Sequence, residues 1–316
     1  MTTTRRYGQS PLWESNNRIQ VTESAVADLR GFKSGTVNFK LALWDPRTNG
    51  MRYLKTLIFN LAAGLSEANR ARLRRIRNRD VGDPITVRYD GEDVCMDYLE
   101  AVLELEFMSG AVPLDGLRVL EIGAGYGRTC HALMSNHDLV SYDIVDLDNA
   151  LRLSRAYLGA VLDPGRFAKI RFHSVDEVDA LPADQRFDLC VNVDSFAEMN
   201  AETVRAYLDL VAGRCRYLYV NNPVGKYLDP SLDGHAQGAE VVALALRTGP
   251  LLDVIDIHDN RAVEAQSRRF LAAYRPGDDW TCVADARAVP WTFYWQALYE
   301  KNTPEKGGRE QTDARS

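Results

Sequence analysis

At 316 residues the chain can hold one large domain, or a core domain with a smaller companion, and its 46% hydrophobic content suits a globular protein. A net charge of -6 at pH 7 argues against broad attraction to nucleic acid or anionic lipid. Five cysteines, Cys95, Cys130, Cys190, Cys215 and Cys282, contain no C-x-x-C pair and read as reduced core residues, not as a disulfide framework or a zinc site.

In chain order, the opening residues Met1 to Gly8 are too polar to offset the entropy of ordering them, so disorder is expected there. Arg5-Arg6 lacks the apolar stretch of an export signal and no segment is long enough to span a bilayer, which points to a cytoplasmic protein. Residues 1–113 carry mostly helical periodicity, around Tyr53 to Leu61 and Met96 to Leu105. Gly82 to Gly91 between them reads as an extended excursion ending in a turn. The basic cluster Arg72 to Arg79 reads as a solvated helix face, because Leu73 and Ile76 fall at helical spacing within it. This region is expected to be a helical cap, serving either as a stabilising or dimerising extension or as a lid that shapes an acceptor pocket.

From Leu117 onward strand and helix patterns alternate, which implies a parallel sheet covered by helices. The expected strands are Arg118–Ile122, Leu139–Val145, Lys169–Phe172, Phe187–Val193, Arg216–Val220, Leu252–Ile257 and Thr292–Leu298. Asp148 and Asn200 are the expected caps of the helices after the second and fourth strands. Residues 114–300 thus form an α/β, Rossmann-like seven-stranded domain, and residues 301–316 a disordered tail.

The first strand runs directly into Gly123-Ala-Gly125-Tyr-Gly127. Glycines at such a turn let the backbone leave the strand sharply and approach a ligand. A dinucleotide fingerprint would need its third glycine where Arg128 stands, so the spacing opposes a nicotinamide dinucleotide. The G-x-G-x-G form opened by Glu121 resembles motif I of class I S-adenosylmethionine (SAM) dependent methyltransferases. Glu121 would then face the amino group of the methionine portion. Asp146, where the second strand's apolar run stops, would bind the ribose hydroxyls, ahead of Asp143 inside the strand. Ser174 or Asp176 could read the adenine, and each could equally be a helix cap before Glu177. The fourth strand should deliver Asn192, Asp194 and Glu198 towards the sulfonium.

Glu121 to Gly127, Tyr142 to Leu147, Arg155 to Leu158 and Asn192 to Met199 together resemble the sugar O-methyltransferase family of antibiotic and cell-surface polysaccharide gene clusters. Gly82-Asp-Pro resembles that family's Gly-Asn-Pro element, and Asp194 stands where the family carries Asn. The resemblance implies a class I methyltransferase core with an N-terminal cap, SAM as cofactor, and a sugar or glycosylated natural product as acceptor. Trp44, Tyr53 and Tyr98 are then candidate sugar-stacking aromatics. A hydroxyl acceptor needs a base, and His235, Asp194 and Glu198 are the candidates, His235 because it titrates near working pH. Asp194, Glu198 or Asn221-Asn222 could hold a divalent metal, but no compact ligand cluster is present in the sequence and metal independence is expected. A small-molecule acceptor is the expected partner, with a homo-oligomer left open. A non-sugar acceptor and a SAM-fold partner protein without turnover are the rival readings.

Overall fold

The computed structural model describes residues 10–19, 23, 33 and 43–302. The expected disordered opening, and residues 303–316 of the expected tail, lie outside the described residues. Helix α1 spans Pro11–Ile19, α2 Pro46–Gly64 and α3 Glu67–Arg75. The Asp45 side chain accepts from the Arg47 N–H and Pro46 opens α2, both favourable at a helix start. In α3 and just after it Leu73 and Ile76 are buried while Arg74 and Arg75 are exposed, as the spacing predicted. The excursion before residue 91 is a hairpin, β1 (Thr86–Tyr89) and β2 (Glu92–Cys95). Its Asp90-Gly91 turn has φ of 49° and 83°, the two positive values that a tight hairpin turn demands.

Helix α4 (Met96–Ala111) follows at once and buries Tyr98, Leu99, Val102, Leu105 and Met108. These residues share one core cluster with Val119, Tyr142, Val191 and Tyr219 of the main sheet. That sheet consists of β3 (Arg118–Ile122), β4 (Ser141–Asp146), β5 (Ile170–Ser174), β6 (Phe187–Val193), β7 (Cys215–Pro223), β8 (Trp280–Arg287) and β9 (Tyr294–Lys301). The strand order is β5-β4-β3-β6-β7-β9-β8, with β9 antiparallel to both neighbours. Helices α5 (Arg128–Asn136) and α6 (Asp148–Val161) follow β3 and β4, and α7 (Ala201–Arg214) follows β6. This is the Rossmann-like seven-stranded α/β core expected from the sequence. The order reverses between β3 and β6, so their C-terminal ends open a crevice where ligands of such sheets bind.

Two local expectations need correction. Leu252–Ile257 is not a strand: Val254 makes a single bridge to Lys226, while Leu251, Ile255 and Ile257 bury against a second core cluster. The missing strand is β8, an edge strand whose alternation is muted because only Trp280 is fully buried. Asp148 is the first residue of α6 and not its cap, which is Leu147 with no side-chain bond. Asn200 is the cap of α7 but likewise makes no side-chain bond to it.

Candidate active site

Where β3 ends, the chain makes three left-handed glycines, with φ of 74°, 57° and 98° at Gly123, Gly125 and Gly127. They are glycines for two different reasons. A Cβ on Gly123 would lie 2.1 Å from Ser195 Oγ, and one on Gly127 would lie 2.9 Å from the Leu158 side chain. A Cβ on Gly125 would meet nothing within 4 Å. Gly123 and Gly127 are therefore demanded by packing, and Gly125 alone faces open space. The Gly125 N–H donates to Asp146 Oδ2 at 2.9 Å, and the Leu147 N–H donates to Asp146 Oδ1 at 2.7 Å.

The loop forms one wall of a cavity of about 440 Å³ at the C-terminal ends of β3 and β6. Of the residues named from the sequence, Glu121, Gly123, Gly125, Asp146, Asp194 and Glu198 line it. Gly127 does not, and neither do Asn192, Ser174, Asp176 or His235. Asn192 is fully buried beneath the site: its amide donates to Ile122 O at 2.9 Å and to Ser195 Oγ at 2.6 Å, and its Oδ1 accepts from Asn222 at 2.9 Å. The Ser174 N–H donates to the Glu177 carboxylate at 3.2 Å, which matches the cap reading. His235 Nδ1 accepts from the Gln237 N–H at 3.1 Å, within the long connection from β7 to β8. Asp143 is fully buried, bonded to Arg171 and to His173 at 2.8 Å. Those two bonds hold its carboxyl below the usual range despite burial, so it is a structural ion pair facing away from the cavity. Among the proposed aromatics, Tyr98 is buried against His131 and Tyr157, and neither Trp44 nor Tyr53 lines the cavity.

Asp194 closes β6 with φ of 66°, a conformation that costs a non-glycine residue about 1–3 kcal/mol. Its N–H donates to Asn221 O at 2.8 Å, and its Oδ1 accepts from the Tyr294 hydroxyl at 2.7 Å, reaching across from β9. Burial pushes its carboxyl up, with Tyr294, Arg128 and Lys226 pulling down. Burial also raises Glu198, and Asp194 adds to it. Lys226 is buried nearby and donates to Ala197 O at 3.1 Å. Glu121 accepts from the Tyr142 hydroxyl at 2.9 Å, and burial pushes its carboxyl up to about 7.

The largest part that sequence reading missed comes from α4. Asp97, Glu100 and Glu104 line the cavity, as do Arg128, Tyr126 and Trp291, together with Asn221, which the sequence offered only as a possible metal ligand. Arg128 donates to Glu104 Oε1 at 2.9 Å and to Asp97 O at 3.1 Å, with Glu100 Oε2 3.8 Å away. The Tyr126 hydroxyl donates to Asp97 at 2.9 Å. Burial, reinforced by Glu104, Asp97 and Asp194, pushes Glu100 up to about 8 against the pull of Arg128. These three acids stand at positions i, i+3 and i+7 and so share one face of a helix that also carries Glu106 and Ser109. Among the described residues no group of three or more His, Cys, Asp or Glu is placed to hold a metal ion. Nor is any described helix long and apolar enough to cross a membrane.

No family model matches the chain, and no curated protein matches it. Solved structures do. One is an O-methyltransferase family 2 protein from Planctomyces limnophilus in complex with apigenin, 13% identical over 92% of this chain and 74% of that chain, TM-score 0.43. A second is magnesium protoporphyrin IX methyltransferase from Synechocystis with bound SAH, 15% identical over 81% of this chain and 100% of that chain, TM-score 0.43. A third is a S-adenosylmethionine-dependent methyltransferase from Clostridium acetobutylicum, 11% identical over 65% of this chain and 91% of that chain, TM-score 0.41. Identities this low leave the chemistry to be argued from the site.

Proposed function

We propose that the protein is a SAM-dependent O-methyltransferase acting on a hydroxyl of a sugar or glycosylated natural product. The observation that carries this reading is the open cradle at Gly125, next to Asp146 and continuous with a carboxylate-lined cavity. The acceptors suit the cofactor: the Asp146 carboxylate for the ribose hydroxyls and the buried Glu121 carboxylate for the amino group of its methionine portion. Bound there, SAM supplies a methyl group made electrophilic by its sulfonium.

The chain then has two tasks, to aim the hydroxyl and to take its proton. Asp194 sits at the end of β6 with one oxygen held by Tyr294, which fixes the carboxylate and leaves the other oxygen for the acceptor. Asp194 would accept the hydroxyl proton as the acceptor oxygen takes the methyl group and the sulfur keeps the electron pair of the broken sulfur–methyl bond, leaving as a neutral thioether. Burial raises the affinity of Asp194 for that proton, and Tyr294, Arg128 and Lys226 restrain the effect. A sugar fits because carboxylates accept from several hydroxyls while Trp291, Tyr294 and Tyr126 add aromatic surface to the lining. His235 does not line the cavity, so it holds no part in this mechanism.

Calorimetry with SAH and with NAD tests the cofactor assignment: SAH binding with no NAD binding is expected, and the reverse sinks it. With an acceptor in hand, Asp194→Asn is expected to lower turnover by about 10²–10⁴-fold while leaving SAH affinity nearly unchanged.

A further inference from the structure

Glu121 and Asp146 belong to the glycine-loop side of the cavity, but the carboxylates of α4 have no part in the mechanism above. Asp97, Glu100 and Glu104 share one helical face, and Asp194 is near enough to add to the charge felt by Glu100. The one cation lining the cavity among the described residues is Arg128, already committed to Glu104 and Asp97. Even with Glu100 protonated, carboxylates outnumber cations here once the single net positive charge of SAM is counted.

A second observation points to a missing donor. Glu104 and Asn221 are 5% and 6% exposed, both line the cavity, and each keeps one buried oxygen, Oε2 and Oδ1, without a hydrogen-bond partner. The amide orientation of Asn221 is settled because its nitrogen donates to Glu104 Oε1 at 3.1 Å, so the orphan atom is an acceptor. A buried acceptor left unmet costs about 1–3 kcal/mol, which a donor-bearing ligand would recover. Hydroxyls could meet these acceptors, but they would leave the negative charge uncompensated. A phosphate, a carboxylate or a nucleotide sugar would be repelled.

We infer that the acceptor carries a protonated amine, so that its class is an amino-bearing polyol such as an amino sugar, with the ammonium group against the Asp97–Glu100–Glu104 face. This rests on the methyltransferase reading and narrows its acceptor. The ammonium donates to carboxylates on α4 while a neighbouring hydroxyl lies towards Asp194.

The test uses the full chain loaded with SAH and measures binding of glucosamine, N-acetylglucosamine, glucose and glucuronate by calorimetry at low and high salt. The amine is expected to bind at least about tenfold tighter than its N-acetyl counterpart, less so in high salt, with glucuronate weakest. Asp97→Asn, which removes a carboxylate of this face, is expected to shrink that preference about tenfold while SAH affinity holds. Binding of a neutral or acidic probe as tight as the amine overturns the inference, as does an absence of amine binding to a chain that binds SAH. Loss of SAH affinity in Asp97→Asn with the amine preference intact gives this face to the cofactor and overturns it as well. Failure of the parent chain to bind SAH is a different result, and it removes the methyltransferase reading itself.

Discussion

At the scale of single residues, the three loop glycines answer to different neighbours and so should fail differently. Gly123→Ala drives a methyl into Ser195 Oγ and holds it at positive φ, an expected loss of about 2–5 kcal/mol seen in chemical denaturation. Gly125→Val costs only the backbone strain, about 1–3 kcal/mol, yet is expected to abolish SAH binding because the new side chain occupies the cradle. A folded Gly125→Val chain that still binds SAH would remove the cradle from the site. Tyr294→Phe probes the base. Its hydroxyl holds the Asp194 carboxyl down, so its loss raises that carboxyl and moves the acidic limb of the pH-rate profile to higher pH. An unmoved limb would mean that Asp194 does not take the proton.

At the scale of elements, α4 is both core and site. Its buried face packs on the sheet through Leu99, Val102, Leu105 and Met108, while Asp97, Glu100 and Glu104 line the cavity. A chain begun at Leu114 is therefore expected to lose cooperative unfolding in circular dichroism, because the face of β3 and β4 would lie open to water. A sharp transition in that truncated chain would show that α4 is dispensable to the core. The double role also explains what could be read from the sequence. Strands β3 and β6 were legible to the residue because short apolar runs stop at a glycine turn and at Asp194. Strand β8 was not, since an edge strand shows little alternation, and Leu252–Ile257 imitated it by burying alternate residues without a partner strand. The cofactor side of the site lies on one continuous segment and could be found by spacing. The acidic wall lies on a helix that precedes it by some twenty residues, and in sequence a buried acid on a helix looks like any solvated one.

At the scale of the whole molecule, the raised carboxyls make stability depend on pH. Glu100 and Glu121 move from a usual 4.5 up to about 8 and about 7. The folded chain thus holds more protons than the unfolded chain between those limits, and stability falls as pH rises through that window. Glu100→Gln removes part of the slope, so it should match the parent near pH 5 and melt higher than it near pH 8. A thermal-melt series with parallel curves for the two proteins would contradict the burial of Glu100. Asp143, whose carboxyl is lowered, acts only at the acid end, whereas buried His131, pushed down to about 4, offsets part of this trend below about pH 6.5 and leaves the fall steepest above it. The contact between Gly123 and Ser195 has a consequence of another kind. Ser195 Oγ donates to Ile122 O at 3.1 Å and fills the space beside Gly123, so the turn after β3 and the turn after β6 are keyed together like a tongue in a groove. Neither turn can be redesigned by itself: a substitution at Ser195 is also an edit of the glycine turn, and a library varied at one must vary the other to keep the fold.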